Sequence, residues 1–204
     1  MIKELYRKTA DVIYTNFLWI LFSFLGLLVT LGAATTAMFS VMFQILKVNE
    51  PTSVFSTYFK SFKTNFVQST LVWLCLIAIG IPLYMMYNYS INENHVFLLM
   101  ISIVGGYQLV IFTMYIFPVM AVFQTKNTGQ LIKNVLIMSN MNIWTNIKLL
   151  GTLAFAVLLI VFVHVSLVLV AVGLYGIMVS FHLRQVFKPY LKELGEIEDD
   201  EVSR

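Results

Sequence analysis

The sequence predicts an all-α fold: a polytopic helical membrane bundle of five transmembrane helices, alternatively six, with two amphipathic cytoplasmic connections. Three observations predict it. The 204 residues are 59% hydrophobic and 11% charged, where soluble domains run at about 45–50% and about 25%. Four long stretches hold no Asp, Glu, Lys or Arg: between Asp11 and Lys47, Lys63 and Glu93, Glu93 and Lys126, and Lys148 and Arg184. Each exceeds the roughly 20 residues that cross about 30 Å of hydrocarbon, and a charge at mid-membrane costs about 2.5–3.5 kcal/mol. Lastly, the lysines are confined to segments between these stretches.

Residues 1–15 mix Lys3, Glu4, Arg7, Lys8 and Asp11 with apolar side chains, the pattern of a short interfacial helix. A basic start before an apolar run also outlines a cleaved leader. The run is too long for a leader core and three further stretches follow, so it reads as a retained membrane segment. Phe17 to Leu46 is the first span. Its small-residue patch, Gly32-Ala33-Ala34-Thr35-Thr36-Ala37, is either a close-packing surface or the point where the chain reverses; reversal there is the six-helix alternative.

Residues 47–65 restore polarity with Lys47, Glu50, Lys60 and Lys63. Phe55, Phe59, Phe62 and Phe66 fall at steps of four, three and four, so their rings share one helical face. That face suits the membrane surface or packing on neighbouring helices. Phe66 to Tyr87 is the second span and residues 88–95 a polar turn. Val96 to Gln124 is the third span. Residues 126–148 form the second basic connection, where Leu131, Ile132, Val135, Leu136 and Ser139 mark a surface helix capped by Thr128. Residues 149–183 would make one helix about 52 Å long, too long for a single crossing, so two helices are expected with a turn near His164 to Ser166. Residues 1–190 then form one transmembrane domain and residues 191–204 an acidic cytoplasmic tail containing Glu193, Glu196 and Glu198 to Glu201.

A shift of 80 positions lays Phe17-Leu18 on Phe97-Leu98, Gly26 on Gly106, and Phe43-Gln44 on Phe123-Gln124. This suggests repeat units 17–87 and 97–165, each of span, amphipathic connection and span, in parallel orientation. Lys and Arg favour the cytoplasmic side. Loops 47–65 and 126–148 and the C-terminus therefore read as cytoplasmic, and residues 88–95, without Lys or Arg, as extracellular. The N-terminus is outside with five spans and inside with six.

Chemistry inside a membrane usually leaves ionisable groups there. The long apolar stretches offer only His164, at an expected turn. No catalytic residue, metal site or cofactor site is expected, and the lone Cys75 reads as apolar filler. The net charge of +3 is spread over loops, which gives no support to nucleic-acid binding. Among uncharged polar residues, Thr35, Gln44, Gln108 and Gln124 form the candidate patch for a partner or a solute. The competing role for such groups is a hydrogen bond between helices.

Several short motifs together resemble a known family. They are Phe17-Leu18-Trp19, Leu25-Gly26, Ala34-Thr35-Thr36-Ala37-Met38, the run Phe59-Lys60-Ser61-Phe62-Lys63-Thr64-Asn65-Phe66, Phe117-Pro118, and Val122-Phe123. Their combination over roughly residues 5–190 resembles the YesL-like family of small bacterial membrane proteins. Members often carry a proline before the Ala-Thr, where this chain has Ala33; the difference favours a continuous first helix. The resemblance implies the plasma membrane and an association with carbohydrate uptake and use. It brings no catalytic residues.

The function expected from all of this is a non-enzymatic accessory membrane protein. Its partners would be the lipid bilayer and a membrane transporter subunit or further copies of itself. The alternative is a passive carrier or channel for a small polar solute. A membrane enzyme acting on lipid-linked substrates has the least support, since no acid–base pair is visible.

Overall fold

The computed structural model describes residues 2–26, 28–47, 53–123, 127–163 and 167–193. Among them there is no strand. Seven helices follow in order: α1 (Ile2–Leu25), α2 (Leu31–Ile45), α3 (Val54–Asn92), α4 (Val96–Val122), α5 (Thr128–Met141), α6 (Ile143–Leu158, with a π-helical turn Leu159–Val163) and α7 (Val168–Glu193). Four of these regions are long and apolar enough to cross a membrane: Val54–Asn92, Val96–Val122, Ile143–Phe162 and Val170–Lys192. Their outward faces carry large apolar side chains such as Phe97, 74% exposed, and Phe162, 78% exposed. Water would not tolerate such a surface, and lipid matches it.

The first apolar stretch differs from expectation. It is not one continuous helix over residues 17–46. The Trp19 indole donates to Thr35 Oγ1 at 3.0 Å, although sixteen residues of straight helix would separate them by about 24 Å. The chain breaks at Gly26 to Thr30, not at Gly32. A Cβ on Gly26 would lie 1.9 Å from Thr30 Oγ1, and that hydroxyl donates to the Phe22 carbonyl at 2.8 Å. Leu28 sits at φ 63°, a left-handed conformation costly for a side chain of this kind, and its carbonyl accepts from the Trp73 indole at 3.1 Å. Before the break, α1 packs on α7, α2 and α3. Val12 and Asn16 abut Gly173 of α7, Trp19 bonds α2, and the Phe22 ring meets Phe62 of α3 at 4.9 Å. α1 therefore runs across three helices in turn.

α2 is the centre of the bundle. Ala33, Ala34, Ala37, Met38, Val41 and Met42 are all buried, because α1, α3, α4 and α7 all pack on this helix. At 15 residues it is only about 22 Å long. Its small residues let α3 approach closely: a Cβ on Gly32 would lie 2.3 Å from the Ser69 carbonyl oxygen. The patch at 32–37 is thus a packing surface. Polar groups line the same seam at intervals of one turn. Thr36 and Ser69 hydroxyls bond at 2.9 Å, Ser40 and Ser61 at 2.7 Å, and Thr57 donates to Gln44 Oε1 at 2.6 Å. Bonds of this kind contribute about 0.6 kcal/mol each in membranes, at most about 1.7.

The first basic connection and the second span prove to be one helix. α3 has 39 residues, about 58 Å, because Lys60 and Lys63 interrupt the hydropathy without interrupting the helix. The phenylalanine stripe is divided between packing and exposure. Phe59 and Phe62 pack near Phe22, Phe55 remains 54% exposed, and Lys63 Nζ lies 4.5 Å from the Phe59 ring centroid. α3 ends in the two bonds of a Schellman motif: His95 N–H to the Ser90 carbonyl and Asn94 N–H to that of Ile91, with Asn94 at φ 55°. The polar turn at the far end is therefore tight.

α5 is the expected surface helix, burying Leu131, Val135 and Met138 and exposing Ile132 and Leu136. Its cap is Asn127, not Thr128: the Asn127 side chain accepts from Gly129 N and Gln130 N. A buried polar node fixes α5 and α6 to α4. Tyr115 donates to Asn146 Oδ1 at 2.9 Å, and Asn146 Nδ2 donates to the Ser139 carbonyl at 2.7 Å. Two helices do occupy residues 149–183; the expected turn at His164 to Ser166 lies outside the described residues. Units 17–87 and 97–165 carry different sets of elements, a broken helix and one long helix against α4, α5 and α6. Locally the 80-residue shift still brings equivalent rings together. Phe43 and Phe123 both pack on Phe187, at 5.7 and 5.4 Å between centroids.

Candidate functional site: a basic cavity at one end of the bundle

α3 outruns α4. Trp73 lies against Phe117 and Leu83 against Gly105, so the end of α4 at Val122 falls near residue 67 of α3. The N-terminal residues of α3 thus extend about 20 Å further. Between this extension and the C-terminal ends of α2, α4 and α7 lies a cavity of about 710 Å³.

Its polar wall is one-sided in charge. Lys47, Lys60, Arg184 and Lys188 line it, together with Ser40, Gln44, Ser56, Thr57, Ser61, Thr64 and Asn65, and among the described residues no carboxylate or imidazole does. Phe43, Phe187 and Leu191 give it an apolar side. Helical spacing explains the arrangement: Arg184, Lys188 and Leu191 fall at steps of four and three on α7 and share a face. Arg184 is held in place by the end of α2. Its Nη1 donates to the Leu46 carbonyl at 3.0 Å, satisfying an acceptor that the helix leaves open and placing a cation where the helix dipole favours it.

This wall can hold an anion. Guanidinium and ammonium groups supply charge-assisted donors, and the Ser56 and Thr64 hydroxyls supply neutral ones; the protons of Ser40, Ser61 and Thr57 are already donated within the protein. Among the described residues it offers no carboxylate or imidazole as general acid or base.

The residues expected to form a polar patch do not come together. Gln44 lines the cavity, its amide oxygen bound by Thr57. Thr35 is spent on the Trp19 indole, about 13 Å along the helix from Gln44. Gln108 sits mid-helix on α4, about 21 Å from Val122, with a buried Nε2 that has no hydrogen-bond partner. Gln124 lies outside the described residues. The cations that do converge were legible in the sequence only as markers of sidedness. The available signal was the Arg184, Lys188 and Leu191 spacing, but Lys47 and Lys60 are far away in the chain. Among the described residues no group of three or more His, Cys, Asp or Glu side chains stands at metal-binding distance.

Comparisons with known proteins agree with the resemblance. Residues 12–87 match the family model described as "Protein of unknown function, DUF624". The chain is 32% identical over 114 residues to "Uncharacterized protein YesL" of Bacillus subtilis (strain 168), covering 55% of this chain and 54% of that one. It is 31% identical over 118 residues to "Uncharacterized protein YteU" of the same organism, covering 55% and 52%. The alignments thus span about half the length of these curated relatives. No solved structure matches the chain.

Proposed function

We propose, from the premise that this chain is a YesL-like protein of the membrane type, that it is a non-enzymatic accessory protein. It docks with a membrane complex and presents a ligand-binding end to the cytoplasm. One observation carries the reading: four cations and several neutral polar groups line one cavity, with no carboxylate or imidazole among the described residues, which suits holding a charged group. The lysines and arginine around this end favour the cytoplasmic side by the positive-inside tendency. The tight turn at Glu93 to His95 then lies on the opposite side. The broad apolar faces of α3, α4 and α6 leave ample surface for a transporter subunit within the bilayer. A carbohydrate uptake system is the complex that the family resemblance favours. The carrier reading has less support, because Thr35 and Gln108 do not line the cavity that contains Gln44.

Extraction of native membranes in mild detergent, with the chain as bait, should recover a membrane partner in fixed stoichiometry. Repeated recovery of the chain alone, with or without crosslinking, contradicts the docking role. Sugar flux in liposomes above that of empty vesicles would favour the carrier instead.

A further inference from the structure

We infer that the basic cavity is a binding site for a phosphate group borne by a larger, partly apolar molecule. The inference rests on the reading of this cavity as a binding site, and it stands whether or not a protein partner docks elsewhere.

Four cationic side chains, Lys47, Lys60, Arg184 and Lys188, line one cavity. The donor set resembles what recognises phosphate. A guanidinium and ammonium groups line the same wall as the Ser56 and Thr64 hydroxyls, and charge-assisted donors of this kind suit an acceptor with several oxygens. The volume of about 710 Å³ far exceeds a bare inorganic ion and falls in the range that encloses small organic ligands. The apolar side at Phe43, Phe187 and Leu191 offers a surface for whatever the phosphate is attached to. Two of the polar seam bonds lie in this wall and fix Ser40 to Ser61 and Gln44 to Thr57. The hydroxyl array is therefore built before a ligand arrives.

The same chemistry could come from an anionic lipid headgroup or from a soluble phosphate ester, and two arms separate them. In the first, the detergent-purified chain is titrated with phosphatidylglycerol, with phosphatidylcholine as control, and bound lipid is counted by native mass spectrometry. In the second, thermal stability is followed against glycerol 3-phosphate, with sodium chloride at matched ionic strength as control. A saturable response in the first arm alone identifies a headgroup; a response in the second identifies a soluble ester. Either supports the site if Lys60→Gln with Lys188→Gln weakens binding by roughly tenfold or more, while Lys133→Gln on α5 leaves it unchanged. If both arms match their controls, or the double variant binds as the parent does, the inference is overturned. Circular dichroism of the double variant separates lost binding from lost folding.

Discussion

Gly32→Leu destabilises the bundle more than any other single substitution considered for this chain, by about 3 kcal/mol or more, with Gly32→Ala next at about 1–3 kcal/mol. At this position even the first added carbon would lie 2.3 Å from the Ser69 carbonyl oxygen and 2.7 Å from Trp73 Cβ. The first of these is backbone of α3 and cannot swing aside as a side chain would. The two helices must separate, which strains the Thr36–Ser69 bond and the anchoring of Leu28 by Trp73 together. Small residues permit such approach in membranes, where packing replaces the hydrophobic effect as the force between helices. Gly106→Ala is the matched control. No atom lies within 4 Å of its Cβ position, so the higher helix propensity of alanine should stabilise by up to about 1 kcal/mol. Thermal unfolding in detergent measures all three. Equal behaviour of the Gly32 and Gly106 variants contradicts the close seam.

Arg184→Ala costs about 2 kcal/mol, the second of the large effects, because it removes a charged donor from the Leu46 carbonyl. That bond ties the C-terminal part of α7 to the end of α2 and shapes the cavity wall. Loss of the guanidinium therefore also weakens phosphate-group binding. Arg184→Lys keeps a cation near the helix end and should recover part of the stability. It recovers less of any planar, two-point recognition, for which lysine is a poor substitute. A stability of Arg184→Ala equal to that of the parent would show that the Leu46 bond contributes nothing.

The sequence was legible wherever lipid imposes a long-range rule. Charge-free lengths located α3, α4, α6 and α7, since every ionic group in a span carries a large cost. The spacing of Leu131 and Val135 located α5, whereas the polar run 88–95 marked the turn only at its end, because α3 continues to Asn92. Local breaks were less legible. The bend at Gly26 to Thr30 has no proline or charge; it depends on Thr30 reaching Phe22 and on Trp73 holding Leu28, contacts made only after folding. The boundary before α3 was misplaced because hydropathy falls at Lys60 and Lys63 while backbone hydrogen bonding continues. Asn127 and Thr128 are both good caps, and adjacency alone does not choose between them. The cavity was the least legible feature. It draws Lys47, Lys60 and Arg184 from three helix ends, and only the packing order around α2 brings them together.

The central claim is a membrane bundle whose basic, cavity-bearing end faces the cytoplasm. Single cysteines test it most directly, in a background where the exposed Cys75 is replaced by alanine. Ser56→Cys stands at the cavity rim and Glu93→Cys at the opposite turn, both exposed. A membrane-impermeant maleimide should label Glu93→Cys in intact bacterial cells and Ser56→Cys only after permeabilisation. Labelling of Ser56→Cys in intact cells, with Glu93→Cys protected, would contradict the orientation; recovery of the folded chain in detergent-free buffer would contradict the membrane bundle itself.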